Sequence, residues 1–181
     1  MDESEKHIID DCRRGKSSAQ LKLYNLYAQP MFAACYRIIG NKSDAEEAMQ
    51  DSFMKVFTHL DQYHDIQSFG ALLHRVAVHT AVDYVRRNSI DFISTDNHET
   101  MIENIADTDE DSIDEESLQL SVAKVKQSMQ QLSDGFRTIL SLYLFEGYDI
   151  DEIASILKIK PVSVRTQYLR AKRKLVELMT N

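Results

Sequence analysis

Chain breakers are scarce in this sequence. Five glycines and two prolines are spread over 181 residues, so long stretches of backbone carry nothing that would interrupt a hydrogen-bonded helix. A β-sandwich needs many short strands separated by such residues, and a collagen or low-complexity chain needs far more of them. The spacing of apolar residues then selects the helix. Ser18 to Ile39 places Leu21, Tyr24, Met31 and Cys35 at helical intervals and stops at Gly40-Asn41. Ser43 is read as the N-cap of a second helix reaching Leu60, with Glu46 and Glu47 in the first turn, where the helix dipole favours acids. Asp61–Ser68 is polar and reads as a loop, and Phe69 to Arg87 repeats Leu72, Leu73, Val76, Ala77 and Ala81 at three and four. Periodicity resumes at Leu118, is broken at Ser133-Asp134-Gly135, and returns in the apolar stretch Phe136–Phe145.

Net charge divides the chain. Residues 1–90 carry 11 basic and 12 acidic side chains, 91–123 carry none basic and 11 acidic, and 124–181 carry 10 basic and 6 acidic. The overall charge of −8 therefore belongs to one acidic segment. That segment lacks periodicity and is expected to be a flexible linker, extended by self-repulsion. The predicted fold is all-α: two small helical domains, 1–90 and 118–181, joined by an acidic linker at 91–117. No apolar run approaches the ~18 residues of a membrane span, and the acidic start Met1-Asp2-Glu3-Ser4-Glu5 has no apolar leader. Two cysteines 23 positions apart suggest no disulfide framework. These features predict a cytoplasmic protein with no membrane insertion.

The densest information lies at the end of the chain. Asp149-Ile150-Asp151-Glu152 has the pattern of a capping box, a helix to Leu157 follows, and Lys158–Lys160 forms a short turn before Pro161 opens a last helix. These are the lengths of a helix-turn-helix. Ile150, Ile153, Ala154 and Leu157 are expected to pack the first helix, and Val162, Val164, Leu169 and Leu175 the second. Seven Lys or Arg and no acids lie within Lys158–Lys174. Ser163, Arg165, Thr166, Gln167 and Arg170 fall near the N-terminal end that enters a major groove, where Arg pairs with guanine and Gln with adenine. Lys172, Arg173 and Lys174 lie further along and suit phosphates.

Two weaker constellations lie in the first half. Asp44, Glu46, Glu47, Gln50 and Asp51, with Met54 beside them, share a helix face that suits a basic partner; an ordinary solvated face has the same composition. Tyr63, His64, Gln67 and Phe69, with His79, Arg86 and Arg87 beyond them, suit an unstacked base; the same pattern fits a core phenylalanine among surface residues. The six histidines form no HExxH, and no Gly-rich phosphate loop or GxSxG occurs. The reading contains no catalytic residue, metal or cofactor.

Taken together, the blocks resemble a known family. Asp44 through Phe57, read as DAEEAMQDSFMKVF, resembles region 2.2 of bacterial sigma factors, and Phe69 through Arg87 the region after it. Leu132 to Leu175, with DEIA at Asp151–Ala154 and VRTQYLRA at Val164–Ala171, resembles region 4. Their order is that of the extracytoplasmic-function (ECF) group. The resemblance implies a non-enzymatic subunit that binds core RNA polymerase and promoter DNA, answers to an anti-sigma factor, and assists strand opening. By position, it implies polymerase binding at Asp44, Glu47, Gln50, Asp51 and Met54. It implies minus-ten contacts at Tyr63, His64, Gln67, Phe69, His79, Arg86 and Arg87. It implies minus-thirty-five contacts at Ser163, Arg165, Thr166, Gln167, Leu169, Arg170 and Lys174. Three positions depart from the family pattern: Leu72 replaces a common Trp, His79 a common Asn, and Gln167 a common basic residue. Two rivals stay open on these residues: a helix-turn-helix repressor acting without polymerase, and a mimic that only titrates an anti-sigma factor.

Overall fold

The computed structural model describes residues 3–63, 68–88 and 115–180, with side chains in the last stretch from Val122 onward. Eight α-helices and no strand occur among the described residues: α1 Glu3–Arg13, α2 Ser17–Ile39, α3 Lys42–Thr58, α4 Phe69–Asn88, α5 Glu115–Gln130, α6 Asp134–Leu144, α7 Ile150–Leu157 and α8 Pro161–Thr180. The all-α expectation and the two helical domains hold. The positions expected to form the linker lie outside the described residues, except that α5 already begins at Glu115.

In the first domain α2, α3 and α4 pack against one another and α1 covers α2. The core is formed by the apolar stripes of these helices, with Leu23, Ile38, Val56, Phe69 and Leu73 all at most marginally exposed. Helix α1 is not predicted by the periodicity of residues 3–13. Only Ile9 and Cys12 of α1 are buried, too few apolar positions to give a periodic signal. Its charges nevertheless follow the helix dipole, with Glu3 and Glu5 in the first turn and Arg13 in the last. The start of α3 also differs. Asn41, not Ser43, is the N-cap, its side chain accepting from the Asp44 backbone N–H at 3.2 Å. Both residue types cap well, but the left-handed turn at Gly40, φ 79°, ends α2 and places Asn41 first.

The second domain packs α6 against α8, with α7 and α5 also on α8. The break expected at Ser133-Asp134-Gly135 falls slightly earlier, at 131–133. Ser133 precedes α6, and Asp134 and Gly135 form its first turn, where an acid is stabilised by the dipole.

The domains are not held apart on a tether. Helix α6 lies directly on α2, and α7 touches α4. Ile139 and Leu142 of α6 belong to the same buried cluster as Ile38 and Leu73. Arg137, only 5% exposed, donates from Nε to the Ile38 carbonyl at 3.1 Å and from a terminal nitrogen to the Ile39 carbonyl at 2.6 Å. Ser141 Oγ donates to the Arg37 carbonyl at 2.9 Å. Three consecutive carbonyls at the C-terminus of α2, groups that a helix cannot satisfy internally, thus take donors from the other domain.

Candidate nucleic-acid interface

The helix-turn-helix is assembled by local chemistry. The Asp149 side chain accepts from the Glu152 N–H at 2.8 Å, and the Glu152 carboxylate accepts from the Asp149 N–H at 2.9 Å. This capping box fixes where α7 starts. Lys158 ends it in the left-handed conformation, φ 58°, and Pro161 occupies the first turn of α8, where its missing N–H costs no helical bond.

Helix α8 buries Val164, Ala171 and Leu175, with Tyr168 packed beside them and its ring 4.6 Å from that of Tyr143. The buried positions recur at seven and eleven from Val164, with half-buried Tyr168 at four, and this phase corrects two expectations. Val162 is 70% exposed, and Leu169 is half-buried rather than an anchor. Arg165 stands exposed on the first turns. Ser163, Thr166, Gln167 and Arg170 are half-buried around it, and the Thr166 hydroxyl donates to the Val162 carbonyl at 3.1 Å. Lys174 is exposed and pairs with Glu177 at 3.0 Å. Lys158, Lys160 and Arg173 are exposed too, so the positive charge lies on the outer side of the motif.

On α3, Glu47, Gln50, Asp51 and Met54 are exposed at spacings of three, four and seven, and Met54 is 64% exposed. A protruding thioether on a carboxylate face offers both apolar and ionic contact. Asp44 is only half-buried at the helix start. Its carboxylate accepts a hydrogen bond from the Tyr84 hydroxyl, which holds that phenol above its ordinary pKa.

The described residues among those expected at the minus-ten element lie in different surroundings. Phe69 is fully buried between Tyr27, at 5.5 Å, and Phe57, at 6.3 Å between ring centres. It belongs to the core and offers no face to a base. Tyr27 is itself pinned, its hydroxyl donating to Glu5; burial, then that contact, pushes its pKa up to about 12. Tyr63 is half-buried, and its carbonyl accepts from Arg13 at 2.6 Å. His64 and Gln67 lie outside the described residues. His79 is exposed on α4; partial burial, then Arg75, holds its imidazole below the ordinary pKa, while Asp83 opposes. Arg86 pairs with Asp83 at 2.6 Å, and Arg87 donates to the Asp83 carbonyl at 3.2 Å. Arg75, absent from the sequence reading, is exposed four positions before His79 and joins it and Arg86 on one face. That i, i+4 spacing was the available signal. Among the described residues no group of acids, histidines or cysteines is placed to hold a metal, and no helix is long and apolar enough to cross a membrane.

Residues 23–90 match the family sigma-70 region 2, and residues 116–175 match sigma-70, region 4. The chain is similar to the ECF RNA polymerase sigma factor SigW of Bacillus subtilis, 26% identical over 178 residues and 94% of each chain. It is similar to the RNA polymerase sigma-H factor of Pseudomonas aeruginosa, 25% identical over 94% of this chain and 91% of that one. Its fold is similar to the sigma factor RpoE of Bartonella quintana, solved with the anti-sigma factor NepR (TM-score 0.53, 19% identity, 88% of this chain and 95% of that chain). It is also similar to CnrH, solved with the cytosolic domain of CnrY (TM-score 0.52, 18% identity, 98% of each chain).

Proposed function

This chain belongs to the extracytoplasmic-function group of sigma-70 factors, non-catalytic subunits that direct transcription initiation, and we propose that it works by joining core polymerase to two promoter elements. The observation that carries the reading is the pairing, in one chain, of an exposed acidic helix face on α3 with a capped helix-turn-helix presenting Arg165.

Glu47, Gln50, Asp51 and Met54, with Asp44 at the helix start, dock the polymerase. Their charge suits a basic or helix-dipole partner and orients the encounter. Helix α8 reads the minus-thirty-five element. Arg165 supplies the bidentate fork for guanine, while Ser163, Thr166, Gln167, Leu169 and Arg170 flank it, and Lys174 answers phosphate. Strand opening falls to the loop before α4 and to α4 itself. Tyr63, His64 and Gln67 hold an extruded base, and His79, Arg86 and Arg87 bind the strand beside it. With Phe69 in the core, stacking falls to the side chains of the loop. An anti-sigma factor is the expected antagonist, and the cytoplasm the place of action. A repressor would need no polymerase-docking face, and a decoy would need no basic recognition helix.

The test is run-off transcription with core polymerase over a promoter library. Discrete transcripts sharing two spaced motifs support the reading. No transcript above core alone, with tight binding of the free chain to duplex DNA, would favour a repressor.

A further inference from the structure

Packing does not account for Val162. Its side chain is 70% exposed, and no large apolar side chain among the described residues is more exposed. It is the second residue of α8. Val164, two positions on and about 200° around the helix, is buried together with Ala171 and Leu175. Val162 therefore points away from the domain, on the side of α8 opposite its core. The helix gains nothing from it there, because a β-branched residue is a slightly poorer helix former than alanine, lysine or glutamate. Thr166 and Leu169, four and seven positions on, continue the same stripe and are half-buried. The Thr166 hydroxyl donates to the Val162 carbonyl at 3.1 Å, so its single donor is spent within the helix and is not offered to a base. The stripe thus presents carbon rather than hydrogen-bond donors. Around it the surface is cationic: Lys158 and Lys160 in the turn before α8, and Arg165 and Arg173 on the helix, are all exposed. An apolar strip framed by cations complements a polyanion that carries an apolar group between its phosphates. Among the base edges of a major groove only thymine offers one, its C5 methyl.

We propose that Val162, with Thr166 and Leu169 extending its stripe, is a specificity-determining residue that selects a thymine in the minus-thirty-five element by covering its C5 methyl group. The inference rests on the reading that α8 enters the major groove at that element. It adds an apolar selection beside the guanine fork of Arg165. The two side chains are three positions apart and neighbours on the helix surface, so a thymine and a guanine close together in the element are read by one turn of α8. Methyl readout and guanine readout are separable, because the first depends on buried carbon and the second on paired hydrogen bonds.

The test uses holoenzyme and a promoter selected from the run-off library, with each minus-thirty-five thymine replaced in turn by deoxyuridine, which lacks only the methyl group. At one of these positions the parent should lose about fourfold in promoter binding, the worth of burying a single methyl group. Val162→Ala should bind the thymine promoter several-fold more weakly than the parent and lose nothing further with deoxyuridine, since the partner of the methyl group is gone. Its helicity and melting temperature should match the parent, because Val162 takes no part in the core. Arg165→Ala should keep the response to the methyl group while losing preference at its guanine. The proposal is overturned if the parent ignores every deoxyuridine replacement, if Val162→Ala responds to the methyl group as strongly as the parent, or if the selected element contains no thymine. It is also overturned if Val162→Ala loses affinity for core polymerase rather than for one base, which would make the contact a protein one. In each of these cases a base-specific loss in Arg165→Ala leaves α8 as the reader of the element. If Arg165→Ala and every deoxyuridine replacement leave binding unchanged, the reading of α8 itself fails and the proposal falls with it.

Discussion

Replacing Phe69 by alanine separates a core role from a base-stacking role. The side chain is fully buried against the Tyr27 and Phe57 rings. Truncating a buried phenylalanine costs about 3–5 kcal/mol, the sum of lost burial and the cavity left behind. Collapse into that cavity is resisted, because Tyr27 is tied to Glu5 and sits against Gly70, where even an added β-carbon would approach its ring to 2.7 Å. The upper half of the range is therefore expected. For a domain of this size each kcal/mol moves the melting temperature by roughly 4–8 °C, so Phe69→Ala should lower it by about 16 °C or more. Thermal unfolding followed by circular dichroism measures this directly, with Phe69→Leu as a milder control. If Phe69→Ala melted within a degree or two of the parent while losing promoter opening, the ring would be a base platform and the packing argument would be wrong.

Three further outcomes are expected. Glu47→Lys with Asp51→Lys should weaken binding to core polymerase by about tenfold or more without loss of helicity; unchanged affinity in a titration would remove α3 from the docking surface. Arg165→Ala should relax base preference at one minus-thirty-five position, whereas Lys174→Ala should weaken binding evenly across sequences and flatten its salt dependence; identical profiles for the two would rule out direct readout by Arg165. Burial, then the charge of Glu146, pushes the Cys35 thiol up to about 12 against the opposing Arg37, so at pH 8 about one molecule in ten thousand carries the reactive thiolate. Alkylation should leave Cys35 unmodified in the native chain and complete in denaturant, and rapid native labelling read by mass spectrometry would contradict its burial.

What the sequence made legible was local. The capping box at Asp149 and Glu152, the proline opening α8 and the glycine ending α2 all act within one helical turn, so spacing alone locates them. Helices with broad apolar stripes, such as α4, declare themselves through periodicity. Helix α1 does not, since two buried residues leave no stripe and its stability comes from packing on α2. Phe69 was ambiguous for a related reason: an aromatic at the junction of loop and helix has the same local signature facing in or out. Val162 and Leu169 looked like anchors by hydrophobicity, but Val164, Ala171 and Leu175 set the phase of α8 and turned Val162 outward. The contact between domains was invisible. Arg137 and Glu146 lie about a hundred residues from their partners at Arg37, Ile38 and Ile39, and nothing in the spacing of isolated charges reveals a pairing at that separation.

The most direct measurement of the central claim is site-specific photocrosslinking in the assembled initiation complex. A photoreactive residue at Met54 should crosslink to a core polymerase subunit, and one at Arg165 to promoter DNA at the minus-thirty-five element, in the same complex. Crosslinks from Met54 that do not require polymerase, or crosslinks from Arg165 scattered evenly along the DNA, would contradict a chain that joins the two.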